Sequence, residues 1–384
     1  MVYSITRTSP VLFGVGAIEQ IGSKAKELGC QKVLFVTDEG IKKAGIADGV
    51  INSLNVAGVD FVQYDRIPSD APDYAVEEGA ELAKKEGVEG IVAVGGGSVL
   101  DAAKGINNLF NNPSPITAYY GVNVAKNPGK VLILAPTTSG TGSEVTAIAV
   151  ITNSKTNKKS GVIGVNSTAT LAVVDPALTL KLPPLLTAAT GMDAFSHAIE
   201  ALTTALANPF SDILAAKAVE LIYNYLPVAV ENGSDIEART NMSLASMIAG
   251  IAFNDALPHL GHAVAHTLGA FFHIHHGTMC ALITPEVIEW VADAAPEKIK
   301  IIGKAMGLKI AEEKPIQETA KEVADAVRVF NKKIGIPDKK ELGVDPSRLN
   351  DIAPEVLKDD TAAFVPKKIE AEEVANILHK AFGA

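Results

Sequence analysis

Gly90-Ile91-Val92-Ala93-Val94-Gly95-Gly96-Gly97-Ser98 runs straight into Val99-Leu100-Asp101-Ala102-Ala103-Lys104. The first six residues read as an apolar strand, the glycines as a turn, and the rest as the start of a helix. An uninterrupted apolar strand is expected where both sheet faces are buried, as in a parallel sheet. A glycine turn from strand to helix lets backbone N–H groups approach a phosphate, and the helix N-terminus adds positive partial charge. A second strand and polar loop follow, Lys130-Val-Leu-Ile-Leu-Ala-Pro136 and Thr137-Thr138-Ser139-Gly140-Thr141-Gly142-Ser143-Glu144. Neither loop is a GxGxxG fingerprint, because the Gly140-Thr-Gly142 run lacks a third glycine. Each alone reads equally as a tight turn. Together, at the ends of successive strands, they suit a ligand with a pyrophosphate.

Working outward, Lys32 to Thr37 and Asp60 to Tyr64 read as further strands, and Tyr74 to Glu86 as an amphipathic helix. Strands alternating with helices predict a Rossmann-like parallel sheet. Asp38, just after a strand, is placed to accept hydrogen bonds from a ribose diol and to repel a 2′-phosphate, favouring NAD over NADP. An ordinary turn or N-cap aspartate fits the same position. Beyond Leu182-Pro183-Pro184 the strand signals fade and helices follow, over Thr187–Thr204, Ser211–Leu226, Asp235–Phe253 and Ile316–Ile334. The expectation is an α/β dinucleotide-binding domain over 1–182 and an all-α metal-binding domain over 183–384, with the active site in a cleft between them.

The 384 residues carry a net charge of −10. That disfavours nucleic acid or an anionic membrane as the main partner. No apolar run reaches the ~18 residues of a spanning helix, and the N-terminus has no signal-peptide core. Cys30 and Cys280 form neither a disulfide framework nor a CxxC pair, which suits reduced thiols in the cytoplasm.

Six of the eight histidines lie between His259 and His276. Imidazole is the commonest metal ligand. Asp193 and His197 are four apart, as are His262 and His266, so each pair shares a helix face. Asp193, His197, His262 and His276 together offer one carboxylate and three imidazoles to a cation. His259, His273 and His275 fit no spacing with these and read as supporting, substrate-facing or surface groups. HExxH and GxSxG are absent, which argues against a zincin protease or a serine hydrolase.

Taken in order, these motifs resemble the iron-dependent (group III) alcohol dehydrogenases, whose fold is shared with glycerol dehydrogenase and dehydroquinate synthase. The resemblance rests on Gly95–Ser98 with Asp101 and Lys104, Pro136 to Glu144, Asp175-Pro176, Leu182-Pro183, Thr190 to Glu200, His262 to His266, and His276-Gly277. It implies metal ligands at Asp193, His197, His262 and His276, with iron as the metal. Intrinsic affinity alone favours zinc. It implies a histidine beside the nicotinamide at His266, as proton relay or as packing. It implies cofactor contacts at Asp38, Gly95, Gly96, Gly97, Ser98, Asp101, Thr137, Thr138, Ser143 and Lys159, and a homo-oligomer, read as a dimer.

The expected activity is hydride transfer between NAD(H) and a short-chain, polar alcohol or aldehyde. A glycerol dehydrogenase-like diol oxidoreductase and a dehydroquinate synthase-type lyase are the alternatives. The lyase is disfavoured because residues 250–285 hold no Lys or Arg for an anionic substrate. Departures from the family pattern cluster at the metal end: Asp255-Ala256-Leu257, Pro258-His259, Thr267 and His275, with Val365-Pro366-Lys367 further on. Asp255, His259 and His275 predict a polar pocket and a substrate with a second polar group.

Overall fold

The computed structural model describes residues 2–6 and 8–383. They form two compact units, one ending at Lys181 and one beginning at Leu182 and taking in residues 2–6.

The first unit is built on six parallel strands in the order β1-β9-β6-β4-β2-β3. These are β1 (Val11–Phe13), β2 (Lys32–Val36), β3 (Asp60–Tyr64), β4 (Gly90–Gly95), β6 (Val131–Pro136) and β9 (Leu171–Val174). A smaller sheet joins β5 (Gly121–Val122), β7 (Ile148–Asn153) and β8 (Lys158–Ile163), with β7 and β8 antiparallel. Successive side chains of a strand point to opposite faces, and this chain fills both. Leu34, Val36, Ile91, Ala93, Leu132 and Leu134 pack with α4 (Asp73–Lys85) and α5 (Gly97–Asn108). Val33, Phe35, Val92, Val94, Ile133 and Ala135 pack with α1 (Ile21–Glu27) and α3 (Ile46–Ala57). The short α2 (Glu39–Lys43) lies between β2 and α3.

All four strands read from sequence are present. β1 and β9 were missed because three or four residues are too few to show a period. β8 was missed because Lys158-Lys-Ser-Gly-Val-Ile lacks apolar alternation. Strand order places β3 on one side of β2 and β4 on the other. The chain therefore reverses direction between β2 and β4, the switch point at which open α/β sheets bind ligands beyond their strand C-termini.

In the second unit no strand occurs among the described residues. Its helices are α6 (Pro184–Thr203), α7 (Pro209–Glu231), α8 (Ile236–Asp255), α9 (Leu260–Phe272), α10 (His276–Val291), α11 (Pro296–Ala305), α12 (Ile316–Lys333), α13 (Leu349–Val356) and α14 (Ala371–Phe382). The fold is thus an α/β N-terminal half followed by a helical C-terminal half. α6 is central: it is buried from Thr187 to Thr203 apart from Thr190, and it packs on α7, α8 and α10. α7 has the length and apolar composition of a membrane span, but here it packs against α6 and α8. Its start is fixed by Pro209 at N1 and a capping box between Asn208 and Ser211.

One polar cluster lies inside the first unit. Lys104 on α5 is fully buried and donates to Thr146 Oγ1 at 3.1 Å and the Ile148 carbonyl at 2.7 Å. Burial lowers its ammonium to about 8, against the attraction of Asp101 and Glu144. Burial raises the Glu144 carboxyl from 4.5 to about 7, against its own backbone N–H and Lys104. A carboxyl raised on folding contributes stability below its unfolded pKa and loses it as pH climbs through the folded one. Glu144→Gln removes that titration. Its melting temperature, relative to the parent, is expected to rise as pH goes from about 5 to about 8. A calorimetric difference constant over that range would mean the Glu144 carboxyl titrates normally.

Candidate functional site

In the first unit Asp38 and Gly95 to Ser98 lie at the C-terminal ends of β2 and β4, the strands that flank the switch point, while Thr137, Thr138 and Ser143 follow the neighbouring β6 and Lys159 lies on β8 of the smaller sheet. Thr37, after β2, donates its hydroxyl to the Val94 carbonyl of β4 at 2.9 Å. Asp38 N-caps α2, accepting from Ile41 N at 2.9 Å through Oδ1. That accounts for the aspartate without any ligand and leaves the diol role a proposal. Gly95 closes β4, Gly96 is the N-cap of α5, and Gly97 begins the helix. A Cβ on Gly97 would lie 2.5 Å from Thr141 Cγ2, so that glycine is needed for packing of the second loop. A Cβ on Gly96 would meet nothing closer than Thr138 Cγ2 at 3.6 Å. Contacts within the protein therefore do not require glycine at 96, whereas close approach of a ligand to that backbone would.

Asp101 and Ser143 are committed to each other. The Ser143 hydroxyl donates to Asp101 Oδ1 at 2.6 Å, and Val150 N donates to Oδ2 at 3.1 Å. They tie the two loops together. Thr137 is buried after β6, its N–H donating to the Gly95 carbonyl at 3.0 Å, while Thr138 is half-buried beside Gly96. Ser98 and Lys159 meet through a residue the sequence reading missed. Asp70 N donates to Ser98 Oγ at 3.0 Å, and Asp70 Oδ1 pairs with Lys159 Nζ at 2.6 Å. Asp70 and Ala71 both hold left-handed φ values, 65° and 43°, a strained pairing for residues other than glycine.

The second unit gathers the predicted metal residues. α6 carries Asp193, His197 and Glu200 at i, i+4 and i+7, hence on one face. α9 brings His262 and His266, and α10 brings His276. α10 can start this close to α6 because residue 277 is glycine: a Cβ there would lie 2.0 Å from the Ala189 carbonyl oxygen. Three imidazole nitrogens then face one carboxylate oxygen, Asp193 Oδ1. His276 Nε2 is 3.4 Å away, His262 Nε2 3.7 Å and His197 Nδ1 3.8 Å. The latter two exceed hydrogen-bond length. Donors bonded at about 2.1 Å to one tetrahedral cation lie about 3.4 Å apart. His262 Nε2 and His197 Nδ1 are buried with no hydrogen-bond partner, although buried polar atoms are normally satisfied. The donor set therefore fits a divalent cation.

Electrostatics point the same way. Burial pushes the Asp193 carboxyl up, but the imidazoles of His197, His262 and His276 hold it well below the usual range. Burial drops His197 to about 3 despite Asp193, leaving it neutral and able to donate a lone pair. Burial also opposes charge on His262, yet Glu200 and Asp193 raise it to about 9. Two carboxylates thus draw positive charge, proton or metal ion, to that imidazole.

Glu200 had no role in the sequence reading. Its Oε2 is hydrogen-bonded to His262 Nδ1, and its carboxylate also accepts from Gly261 N and His262 N. Burial would raise its pKa, but His259 and His262 bring it to about 2. His266 pairs through Nδ1 with Asp359 Oδ2 at 3.1 Å and stacks on His276 with centroids 5.1 Å apart. Burial would raise Asp359 as well, but His266 lowers it to about 2. Cys280, one turn along α10 from His276, belongs to the cluster too. One donor atom each from Asp193, His262, His276 and Cys280 lie within 4.8 Å of one another.

The polar-pocket expectation needs correction at His259. His259 is fully buried, its Nε2 bonded to Thr203 Oγ1 at 2.9 Å and its Nδ1 3.3 Å from Glu200 Oε1. It supports Glu200 and does not face a substrate. Asp255 accepts from Thr6 N at 2.8 Å. His273 is exposed in a left-handed turn ending α9, and His275 is exposed at the start of α10.

Comparison with known proteins identifies the family. The "Iron-containing alcohol dehydrogenase" profile matches residues 8–176, and the "Fe-containing alcohol dehydrogenase family, C-terminal" profile matches 187–382. The chain is 38% identical over 373 residues to a 1,3-propanediol dehydrogenase from Citrobacter freundii, covering 96% of each. It is 35% identical over 371 residues to an NAD-dependent methanol dehydrogenase from Bacillus methanolicus, covering 96% of this chain and 97% of that one. The solved structure of an alcohol dehydrogenase from Oenococcus oeni superposes with a TM-score of 0.95 at 36% identity, covering 99% of this chain and 100% of that one. The chain belongs to the iron-containing alcohol dehydrogenase family.

Proposed function

We propose that this chain is an NAD(H)-dependent, metal-dependent oxidoreductase that interconverts short-chain alcohols or diols with their aldehydes. The observation that carries the reading is the set of three imidazole nitrogens facing Asp193 Oδ1, two of them buried and without a hydrogen bond. Asp193, His197, His262 and His276 would hold the cation. When bound, a divalent metal acts as a Lewis acid that lowers the pKa of an alcohol hydroxyl and stabilises negative charge on its oxygen. Family membership favours iron, and intrinsic affinity favours zinc. The names of the methanol and propanediol relatives support NAD and small substrates. We assign the first unit to the dinucleotide and the second to the metal. The backbone at Gly96 and the α5 N-terminus would receive the pyrophosphate, with Thr137 and Thr138 alongside and Asp38 at the ribose. Cys30 and Cys280 are buried and form no disulfide, which suits the cytoplasm.

Other side chains position these groups. Glu200 holds His262 Nδ1, which aims Nε2 at Asp193; carboxylates of this kind fix the tautomer and orientation of metal-binding histidines. Asp359 holds His266 Nδ1 in the same way. The His266 side chain is 15% exposed, so it is placed to pass the alcohol proton towards water.

Alcohol-dependent NADH formation by the iron-loaded chain should be abolished by a chelator and restored by Fe(II) or Zn(II). No turnover with any alcohol or aldehyde, despite bound metal and NAD, would overturn the assignment. Glu200→Gln should weaken metal affinity about 10- to 100-fold, read by competition with a chromophoric chelator; unchanged affinity would remove Glu200 from its positioning role. His266→Ala should lower turnover while keeping metal content. Loss of metal from that variant would make His266 a ligand.

A further inference from the structure

Asp70 carries a charge that its place in the fold does not require. Backbone contacts strap the segment down. Asp70 N donates to Ser98 Oγ at 3.0 Å, Thr152 Oγ1 donates to the Asp70 carbonyl at 2.6 Å, and Thr152 N donates to the Ala71 carbonyl at 3.2 Å. The left-handed φ of 65° at Asp70 suits asparagine as well as aspartate. None of these features needs a carboxylate. Ser98 is the second residue of α5, so the carboxylate stands at the helix N-terminus assigned above to the pyrophosphate. Its Oδ1 meets Lys159 Nζ, from β8, at 2.6 Å. Burial raises the Asp101 carboxyl in α5, and Lys104, Ser143, the Val150 N–H and Lys159 oppose that rise. The Lys159 ammonium therefore acts on this end of the helix. The Asp70 side chain is 57% exposed and that of Lys159 20%. Ion pairs this open to water are weak, and solvent screens their longer reach. Direct contact with the ammonium is thus the main effect of the carboxylate, and an oxygen of an arriving ligand can displace it.

We infer that Asp70 is a positioning residue that competes with the dinucleotide for Lys159. Its carboxylate holds the ammonium beside the α5 N-terminus. A dinucleotide binding there takes the ammonium over through one of its own oxygens, and the carboxylate reclaims it as the ligand leaves. Binding is therefore weaker, and release faster, than the two loops and Lys159 would give without the carboxylate. The inference rests on the assignment of the first unit to the dinucleotide and adds a residue that sets how tightly that ligand is held.

Asp70→Asn isolates the carboxylate, because asparagine accepts the same φ and keeps both backbone contacts of residue 70. Titration of the full chain with NADH, read by its fluorescence, should show binding about two- to fivefold tighter in the variant. Stopped-flow displacement should show slower release, and metal content should stay the same. Loss of a mere brace would shift the affinity the other way. In a Lys159→Ala background no ammonium remains to compete for, and the gain from Asp70→Asn should shrink. Unchanged or weaker NADH binding in Asp70→Asn, or a gain undiminished without Lys159, would overturn the competition and leave the dinucleotide assignment standing. No NADH bound by the parent chain would overturn that assignment and the competition with it.

Discussion

An ionised carboxylate at Asp193 sits in the middle of a helix whose residues are buried almost throughout. Taking such a group out of water is costly unless charge and hydrogen bonds compensate. Most of the second unit's local design answers that cost. Three imidazoles from three helices turn towards one oxygen. A second buried carboxylate, Glu200, then holds one of those imidazoles in orientation and is itself held by His259 and two backbone N–H groups. His197 is clamped from the side, stacked on Phe253 at 4.1 Å and on His262 at 4.3 Å. Each ring therefore has little rotational choice, and the nitrogens stay aimed at Asp193 before any ion arrives.

That convergence depends on how closely the helices approach. The α6 backbone at Ala189 meets α10 through Gly277, and Gly261 lets the Glu200 carboxylate reach the start of α9. A side chain at either glycine would push an imidazole-bearing helix outward. Metal bonds tolerate displacements of only a few tenths of an ångström, so these two positions govern the geometry of the cluster as strictly as Asp193 and the histidines do.

In the first unit the same economy of space appears in a different form. The glycine that packing requires, Gly97, accepts Thr141 of the second loop, while the glycine that packing does not require, Gly96, leaves its backbone approachable. Asp101 and Ser143 bind each other and the β7 backbone, and Asp70 joins Ser98 to Lys159. Several polar residues of the nucleotide motifs are thus internal braces. They keep two loops at adjacent strand ends in register, and that register is what a pyrophosphate would need from them.

Legibility in the sequence follows from range. Strands of five or six apolar residues, such as β2, β4 and β6, announce themselves, because continuous burial on both faces leaves no polar position. The Asp193/His197 pair is equally visible, because one helical turn converts a four-residue spacing into a shared face. By the same rule Cys280 could have been read from His276, and Glu200 from Asp193, since both lie on the same faces of helices already recognised. They were passed over because a lone cysteine and a helical glutamate are usually unremarkable. Asp359 is different. It reaches His266 from 93 residues away, out of a short 3₁₀ segment with no period of its own. Only packing of the helices brings it there, and no local pattern encodes that meeting. His259 shows the converse. Its place in the histidine run left supporting, substrate-facing and surface roles open, and the entry to α9 decides among them by turning it inward to Thr203 and Glu200, where it stabilises the carboxylate that orients His262.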